Sequence, residues 1–225
     1  MKKGLVIVLG LLMTLGAVSS ATAGDTFVRY KMTVTVATPE GDKTGSAVRI
    51  ADRHTEMSIL PQQGGTTYNV GEGQAVVVNL GKRGVLFALM GGQKEAQEVF
   101  SLFSKDKGTK RIVLSPAQYP MFVTFKDPKK PNTVKAISPY NDHDIQVDGG
   151  TAKTVEDILG KGVKLKEVSI NETSDPVTRG IEKLLPWIPE YYSRMLDGQR
   201  FNTIYTKNPI ANSLASGVFK VGGRK

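Results

Sequence analysis

Apolar and polar residues alternate along the early part of the chain in the way that β-strands require. From residue 28 to residue 36 every second position is apolar, and the positions between carry arginine, lysine or threonine. The sequence Pro39-Glu40-Gly41-Asp42 is a turn signal, and alternation resumes over residues 46–50. Because a period of two buries one face of each strand, this pattern predicts an antiparallel hairpin.

A second hairpin is predicted from two runs that are almost wholly apolar. Residues 75–80 and 85–90 flank a four-residue turn with glycine at both ends. Unbroken apolar runs are typical of strands that are buried on both faces. The spacing then changes to that of a helix over residues 93–105. Its predicted apolar face comprises Ala96, Val99, Phe100 and Phe103.

Further strands are predicted before the chain changes character near residue 173. They are expected at residues 111–114, 121–125, 134–137 and 163–170, the last with a phase slip at Lys166-Glu167. Thr154 and Asp157 have the spacing of a capping box, which predicts a short helix. In the C-terminal part, helical spacing and prolines at helix starts predict helices that begin near Asp175-Pro176 and include residues 190–196 and 209–216.

This order of elements predicts an α+β fold with a curved, mainly antiparallel sheet, a mid-chain helix and a C-terminal helical segment. A single domain is expected over residues 24–220. Residues 24–172 are predicted to be mostly strands and residues 173–220 mostly helices. Residues 221–225 are expected to be a frayed tail.

The first 23 residues predict export. Lys2 and Lys3 are followed by a mostly apolar stretch over residues 5–15 and by the small residues Ala21-Thr22-Ala23. This order is typical of a secretory signal peptide and predicts cleavage after Ala23, with a periplasmic or secreted product. An uncleaved anchor is the alternative. The apolar stretch is shorter than the roughly 20 residues that span a bilayer, which favours cleavage over an anchor. After cleavage, no transmembrane helix is expected.

Composition limits the chemistry and the partners. The chain of 225 residues has no cysteine, which excludes disulfides, thiolate metal sites and cysteine nucleophiles. Lys2 and Lys3 are the only charged residues in the predicted leader, so cleavage lowers the formal net charge from +9 to +7. Such a charge favours an anionic envelope component or another envelope protein as partner, or it serves solubility alone. Nucleic acid is not expected, because no binding motif is present.

Two histidines provide the candidate catalytic and metal sites. His54 shares one strand face with Asp52 and Glu56, which would make an acid–base cluster or simply a solvated face. His143 lies between Asp142 and Asp144, which could hold a cation or form an ordinary polar loop. The sequence contains no G-x-S-x-G, H-E-x-x-H or phosphate-loop signature, so no catalytic residue, bound metal or cofactor is predicted beyond these candidates.

Two basic clusters and one tryptophan are the candidate binding residues. The clusters lie on either side of the strand region 111–126, and their convergence would create a positive patch. Solvated loop tips are the alternative. Trp187 lies in a leucine- and tyrosine-rich stretch interrupted by two prolines, where it could dock on a membrane or pack on the sheet. The basic residues concerned are Lys107, Lys110, Arg111, Lys126, Lys129 and Lys130.

Several stretches resemble a family of uncharacterised, signal-peptide-bearing proteobacterial proteins. The resemblance rests on PMFVTFKDPKKPNTVKAISP (120–139), GKGVKLKEVSINETSDPVTRGIEKLLPWI (160–188) and ANSLASGVFK (211–220), and on the two predicted hairpins, YKMTVTVATPEGDKTGSAVRI (30–50) and AVVVNLGKRGVLFAL (75–89). It implies an exported or envelope-associated protein and brings no catalytic residues. It also implies structural roles for residues 175–178 and 185–187.

Three functions follow from the sequence. The first is non-catalytic binding or scaffolding of a ligand, partner or envelope surface by an exported protein. The second is a periplasmic hydrolase that uses His54 or His143. The third is docking on an anionic membrane surface through the lysines and Trp187, which salt would weaken.

Overall fold

Two β-sheets frame the protein in the computed structural model, which describes residues 24–56, 64–105, 111–138, 146–147, 150–151, 153–203 and 206–222. The described strands are β1 (Gly24–Ala37), β2 (Lys43–Glu56), β3 (Gly65–Gln74), β4 (Val76–Asn79), β5 (Val85–Ala88), β6 (Ile112–Val113), β7 (Phe122–Phe125), β8 (Val134–Ser138), β9 (Gln146–Val147), β10 (Gly150–Thr151), β11 (Lys153–Thr154), β12 (Lys164–Glu172) and β13 (Lys220–Val221). The α-helices are α1 (Gly92–Lys105), α2 (Val155–Leu159) and α3 (Pro209–Ser213). Short 3-10 helices lie at Gly81–Arg83, Pro116–Gln118, Pro131–Thr133, Ile181–Lys183 and Ser216–Val218.

The larger sheet has six strands in the order β13–β3–β2–β1–β12–β6, and all its neighbours are antiparallel. The smaller sheet has five strands in the order β11–β8–β7–β5–β4, of which only the pair β11–β8 is parallel. Strands β9 and β10 pair with each other. The predicted α+β class with a mainly antiparallel sheet and a mid-chain helix is confirmed.

Both predicted hairpins are present. The first is β1–β2, which continues beyond the predicted ends and places Tyr30 opposite Arg49. The second is β4–β5. The predicted phase slip in β12 is also confirmed, because Thr35 pairs with Glu167 whereas Val36 pairs with Leu165. Lys166 is therefore the extra residue of a β-bulge.

The first core lies between the two sheets and under α1. It contains inward residues of β1, such as Met32 and Val34, together with the predicted apolar face of α1. Strand β4 packs against β2 at Gly45, where an added Cβ would lie 2.1 Å from the carbonyl oxygen of Val77. Only glycine lets the two backbones approach this closely.

The second core covers the other face of the smaller sheet. Successive residues of β4 and β5 alternate between the cores, so that Leu86 and Ala88 belong to the first while Phe87 and Leu89 belong to the second. This arrangement explains the unbroken apolar runs, since both faces of these strands are buried. The C-terminal segment supplies the rest of the second core through Trp187, Phe219 and neighbouring apolar residues.

The prediction that residues 173–220 are mostly helical was wrong. Residues 173–180 run beside β2, where Val48 and Thr178 exchange backbone and side-chain hydrogen bonds. Residues 190–196 form turns. Leu196 N–H donates to the Leu214 carbonyl, 18 residues further along the chain, whereas an α-helix would direct it to the carbonyl four residues earlier. The helix predicted over residues 209–216 is confirmed as the shorter α3, which Asn208 caps by accepting from Ala211 N–H.

The structure also bears on the predicted capping box, the C-terminal tail and membrane-spanning helices. Thr154 and Asp157 form the predicted capping box at the start of α2. Val221, which was predicted to belong to a frayed tail, instead pairs with Gly73 in the larger sheet, and residues 223–225 lie outside the described part. In the described residues, no helix has the length and apolar character needed to cross a membrane.

Candidate functional site

A buried ionic network joins β1, β2 and α1. Tyr30 and Arg49 are cross-strand partners on the inner face of the larger sheet, and the Arg49 side chain is 0 % exposed. Glu95 lies in the first turn of α1. Its Oε1 accepts from the Tyr30 hydroxyl at 2.6 Å and from Arg49 Nη1 at 2.5 Å, while its Oε2 accepts from Gly91 N–H at 2.6 Å.

Arg49 also ties the two sheets together. Its Nε donates to the Gln74 carbonyl at 2.9 Å, and its Nη2 donates to the Ala88 carbonyl in β5 at 3.0 Å. Gly73 makes room for this side chain, since an added Cβ would lie 2.8 Å from Arg49 Cγ, and its φ of +141° favours glycine. The guanidinium is therefore satisfied in the way that a buried charge requires.

The ionisation states in the network follow from burial and charge. Burial raises the pKa of Tyr30 well above its ordinary value, and the negative charge of Glu95 raises it further, so the phenol stays protonated and donates. Burial by itself would lower the pKa of Arg49, but the charges of Glu95 and Tyr30 and the hydrogen bonds with these two side chains together outweigh it, so this pKa is raised. The network thus holds a permanent cation against a carboxylate and a neutral phenol.

A cavity of about 180 Å³ opens beside this network. It lies where α1, the β12–β6 edge of the larger sheet and the segment before β7 meet. The buried residues Met32, Val99, Leu114 and Ile170 line its floor, and the half-buried Leu102 lines its wall. An engineered apolar cavity of about 150 Å³ binds benzene, so this space suits a single ring or a short alkyl group.

Polar groups surround the mouth of the cavity. Lys94 and Glu98 of α1 and Gln118 line it together with Glu95. Both carboxylate oxygens of Glu95 already accept hydrogen bonds inside the network. Glu95 is therefore a positioning group that fixes the start of α1. Lys94 is exposed and Glu98 and Gln118 are half-buried, so these three polar side chains lie nearer to solvent than the buried apolar floor.

The predicted His54 cluster exists but lies away from this cavity. Asp52, His54 and Glu56 share the outer face of β2; His54 Nδ1 contacts Asp25, and His54 Nε2 lies 3.3 Å from Glu56 Oε1. The His54 side chain is 50 % exposed. The hydrogen bond with Asp25, and the charge of that residue, raise the pKa of His54.

Neighbouring acids act on Asp52 as well. Burial raises the pKa of this carboxyl, and the negative charges of Asp25 and Glu72 add to the effect. None of these side chains lines the cavity. The arrangement matches the solvated strand face that the sequence left open as an alternative.

The second candidate site is the one around His143. His143 lies outside the described residues, as do Asp142 and Asp144. Among the residues that are described, no group of three histidine, aspartate or glutamate side chains could hold a metal ion.

The predicted basic residues are divided between the sheets. Arg111 precedes β6 at the edge of the larger sheet and pairs with Glu167. Lys126, Lys129 and Lys130 are exposed in the turn after β7 of the smaller sheet, with Lys130 4.0 Å from Asp127. Lys107 and Lys110 lie outside the described residues.

Trp187 is part of the second core and does not form a surface. It is 4 % exposed, and its Nε1 donates to the Pro128 carbonyl at 2.8 Å. Of the two roles considered for Trp187, docking on a membrane and packing on the sheet, the structure has the second. A docking role that needs an exposed tryptophan is excluded by this burial.

Sequence reasoning missed the network and the cavity. One signal was available, because Arg49 occupies an inward position between Ala47 and Ala51 of an alternating strand. A charge at such a position needs a buried partner. The sequence does not say that this partner is Glu95.

No protein-family model, curated protein or solved structure matches this chain.

Proposed function

We propose that this chain is an exported binding protein that holds a small ligand in the cavity beside α1, without catalysing a reaction on it. The observation that carries the proposal is the cavity itself, a space of about 180 Å³ with an apolar floor and polar groups at its mouth. Binding sites for small molecules have this character, in which apolar walls give affinity and a few polar groups give orientation.

The neighbouring network supports a preformed site. Arg49 and Glu95 hold the start of α1 against both sheets, so the wall of the cavity that α1 supplies is fixed before a ligand arrives. A preformed site avoids the cost of ordering on binding. The same contacts use both oxygens of Glu95, which makes this residue a poor candidate for proton transfer.

The other two functions have less support. A hydrolase built on His54 has less support because the His54 side chain is 50 % exposed and both its ring nitrogens already face carboxylates. Among the described candidate residues, docking on an anionic membrane would rest on Arg111 and on the exposed turn around Lys129 and Lys130, since Trp187 is buried. Export is proposed from residues 1–23 and from the family resemblance.

Titration with toluene, followed by amide chemical shifts, tests the binding site. We expect saturable shifts that centre on the helix residues 94–102 and on residues 114–121. Leu102→Phe places a ring in the cavity and should abolish them. Leu184→Phe is the matched control, because Leu184 is partly buried against the second core. Absence of saturable shifts in the folded wild-type protein, or shifts that Leu102→Phe leaves unchanged, would overturn the proposal.

Intact mass of protein purified from the bacterial envelope fraction tests export separately. A mass that begins at Gly24 in the soluble fraction is the expected result. A mass that retains Met1 would contradict cleavage. A small molecule that copurifies with wild-type protein and not with Leu102→Phe would support the binding role directly.

A further inference from the structure

The mouth of the cavity presents one positive and one negative side chain on the same face of α1. Lys94 and Glu98 are four residues apart, a spacing that brings side chains together on a helix surface. The order from lysine to glutamate is the less favourable one for pairing within a helix. In the part of the chain that the structure describes, neither side chain has an ion-pair partner.

A third group at the mouth is held in a defined orientation. Gln118 Oε1 accepts from Ser115 N–H at 2.8 Å and from the Ser115 hydroxyl at 2.8 Å. These two bonds fix the amide plane. The Gln118 amide nitrogen, a donor, has no hydrogen-bond partner among the described residues. The mouth therefore offers an ammonium, a carboxylate and an oriented amide donor above an apolar floor.

We propose that the ligand is a free α-amino acid with an apolar side chain. This inference rests on the proposed binding function. The side chain occupies the floor beside Met32 and Val99, the α-ammonium lies against Glu98, and the α-carboxylate lies against Lys94 and the Gln118 amide. A ligand with only one charge would leave one of the two ions without a partner, so the pair selects for a zwitterion.

The size of the cavity restricts the side chain. A space slightly larger than a benzene site accepts one phenyl ring or a branched aliphatic group, and it excludes a long acyl chain. The charged groups add to affinity by charge-assisted hydrogen bonds. At a partly exposed mouth we expect each such contact to contribute about tenfold in the dissociation constant.

Calorimetric titration of the whole protein with four related probes tests the inference. They are phenylalanine, 3-phenylpropanoate, phenethylamine and toluene, which carry both charges, the carboxylate alone, the ammonium alone and neither. We expect phenylalanine to bind about tenfold more tightly than either singly charged probe. Equal or weaker binding of phenylalanine would overturn the inference, while saturable binding of toluene would leave the proposed function standing. If no probe binds, both fail.

Charge-removing variants assign the contacts. Glu98→Gln should weaken phenylalanine binding about tenfold and leave 3-phenylpropanoate, which has no ammonium, unchanged. Lys94→Gln should weaken phenylalanine similarly and leave phenethylamine unchanged. Lys105→Gln is the matched control in the last turn of α1, outside the cavity lining, and should change nothing. If Glu98→Gln and Lys94→Gln behave like this control, the assigned contacts are wrong.

Discussion

The two cores of this protein are built differently. The second core, between the smaller sheet and the C-terminal segment, is a continuous aromatic cluster. Phe125 lies 5.9 Å from Trp187 and Trp187 lies 5.4 Å from Phe219, measured between ring centroids. The first core, between the two sheets and α1, contains the charged network around Arg49 and borders the cavity. Close aromatic packing gives stability, whereas fixed charges beside an open space suit the binding site that we propose.

Removing the central ring of the aromatic cluster should be the most damaging change. Trp187→Ala leaves a cavity among three rings and strips the Pro128 carbonyl of its donor, so we expect about 4–5 kcal/mol less stability in urea denaturation. Trp187→Phe keeps a ring and should lose less. A loss below about 1 kcal/mol for Trp187→Ala would show that the second core is not the main source of stability.

In the first core, the charged network should be nearly as important because its members are buried together. Glu95→Gln leaves the Arg49 charge without its counter-charge, and we expect a loss of about 3–4 kcal/mol. Arg49→Met should lower stability by a similar amount, and the double variant should lose clearly less stability than the sum of the two single losses. Urea denaturation of all three variants measures this coupling.

An exposed pair provides the control for that cycle. Lys166→Met removes an ion pair with Asp42 on the surface of the larger sheet. Because solvent screens this pair, we expect no measurable change in stability. If the Arg49–Glu95 cycle is additive like that of an exposed pair, the network does not act as a unit.

Hydrogen bonds rather than helices hold the C-terminal segment over the second core, and Asn212 is central to them. Its buried amide donates to Asp197 at 2.8 Å and accepts from Thr203 N–H at 2.5 Å. Asn212→Ala removes these two bonds and a third one to the Phe201 carbonyl, and a loss of about 1–3 kcal/mol is expected in thermal or urea unfolding. Ser213→Ala, on the neighbouring half-buried residue, is the control and should have a much smaller effect.

The exposed His54–Asp25 pair belongs to neither core and should have only a small effect on stability. The pKa of His54 is raised above its ordinary value of 6.5, so the paired imidazolium stabilises the fold below about pH 6.5. This contribution is lost as pH rises through the pKa of His54 in the folded protein. A pH titration followed by the NMR signals of the histidine rings measures the pKa of His54. Asp25→Asn should lower the pKa of His54; an unchanged pKa would mean that Asp25 is not its cause.

Local signals in the sequence were enough for most of the sheet and for two helices. The alternation around β1 and β2, the apolar runs of β4 and β5 and the face of α1 all correspond to the structure, as do the capping box at Thr154 and the slip at Lys166. These features depend on neighbours a few residues away. Periodicity and capping are therefore sufficient to predict them.

Strand β3 and the C-terminal segment were not predictable in the same way. Gly71 and Gly73 weaken the strand pattern of β3, and its pairing with β2 includes a register shift. Residues 190–196 have the apolar spacing of a helix, but Leu196 N–H donates to the Leu214 carbonyl and Met195 forms an antiparallel β-bridge with Ala215. Long-range partners overrode local propensity here, since packing decides between conformations of similar intrinsic energy.

What the sequence by itself determined is the hairpins β1–β2 and β4–β5, strands β7, β8 and β12, and the first helix, because each is specified by the spacing of apolar residues. Only the tertiary structure decided that Arg49 meets Glu95 across 46 residues of chain, and that a cavity opens beside them. A charged residue at an inward position indicates that a buried partner is needed. The position of that partner, and the space that packing leaves unfilled, depend on how two sheets and a helix meet in three dimensions.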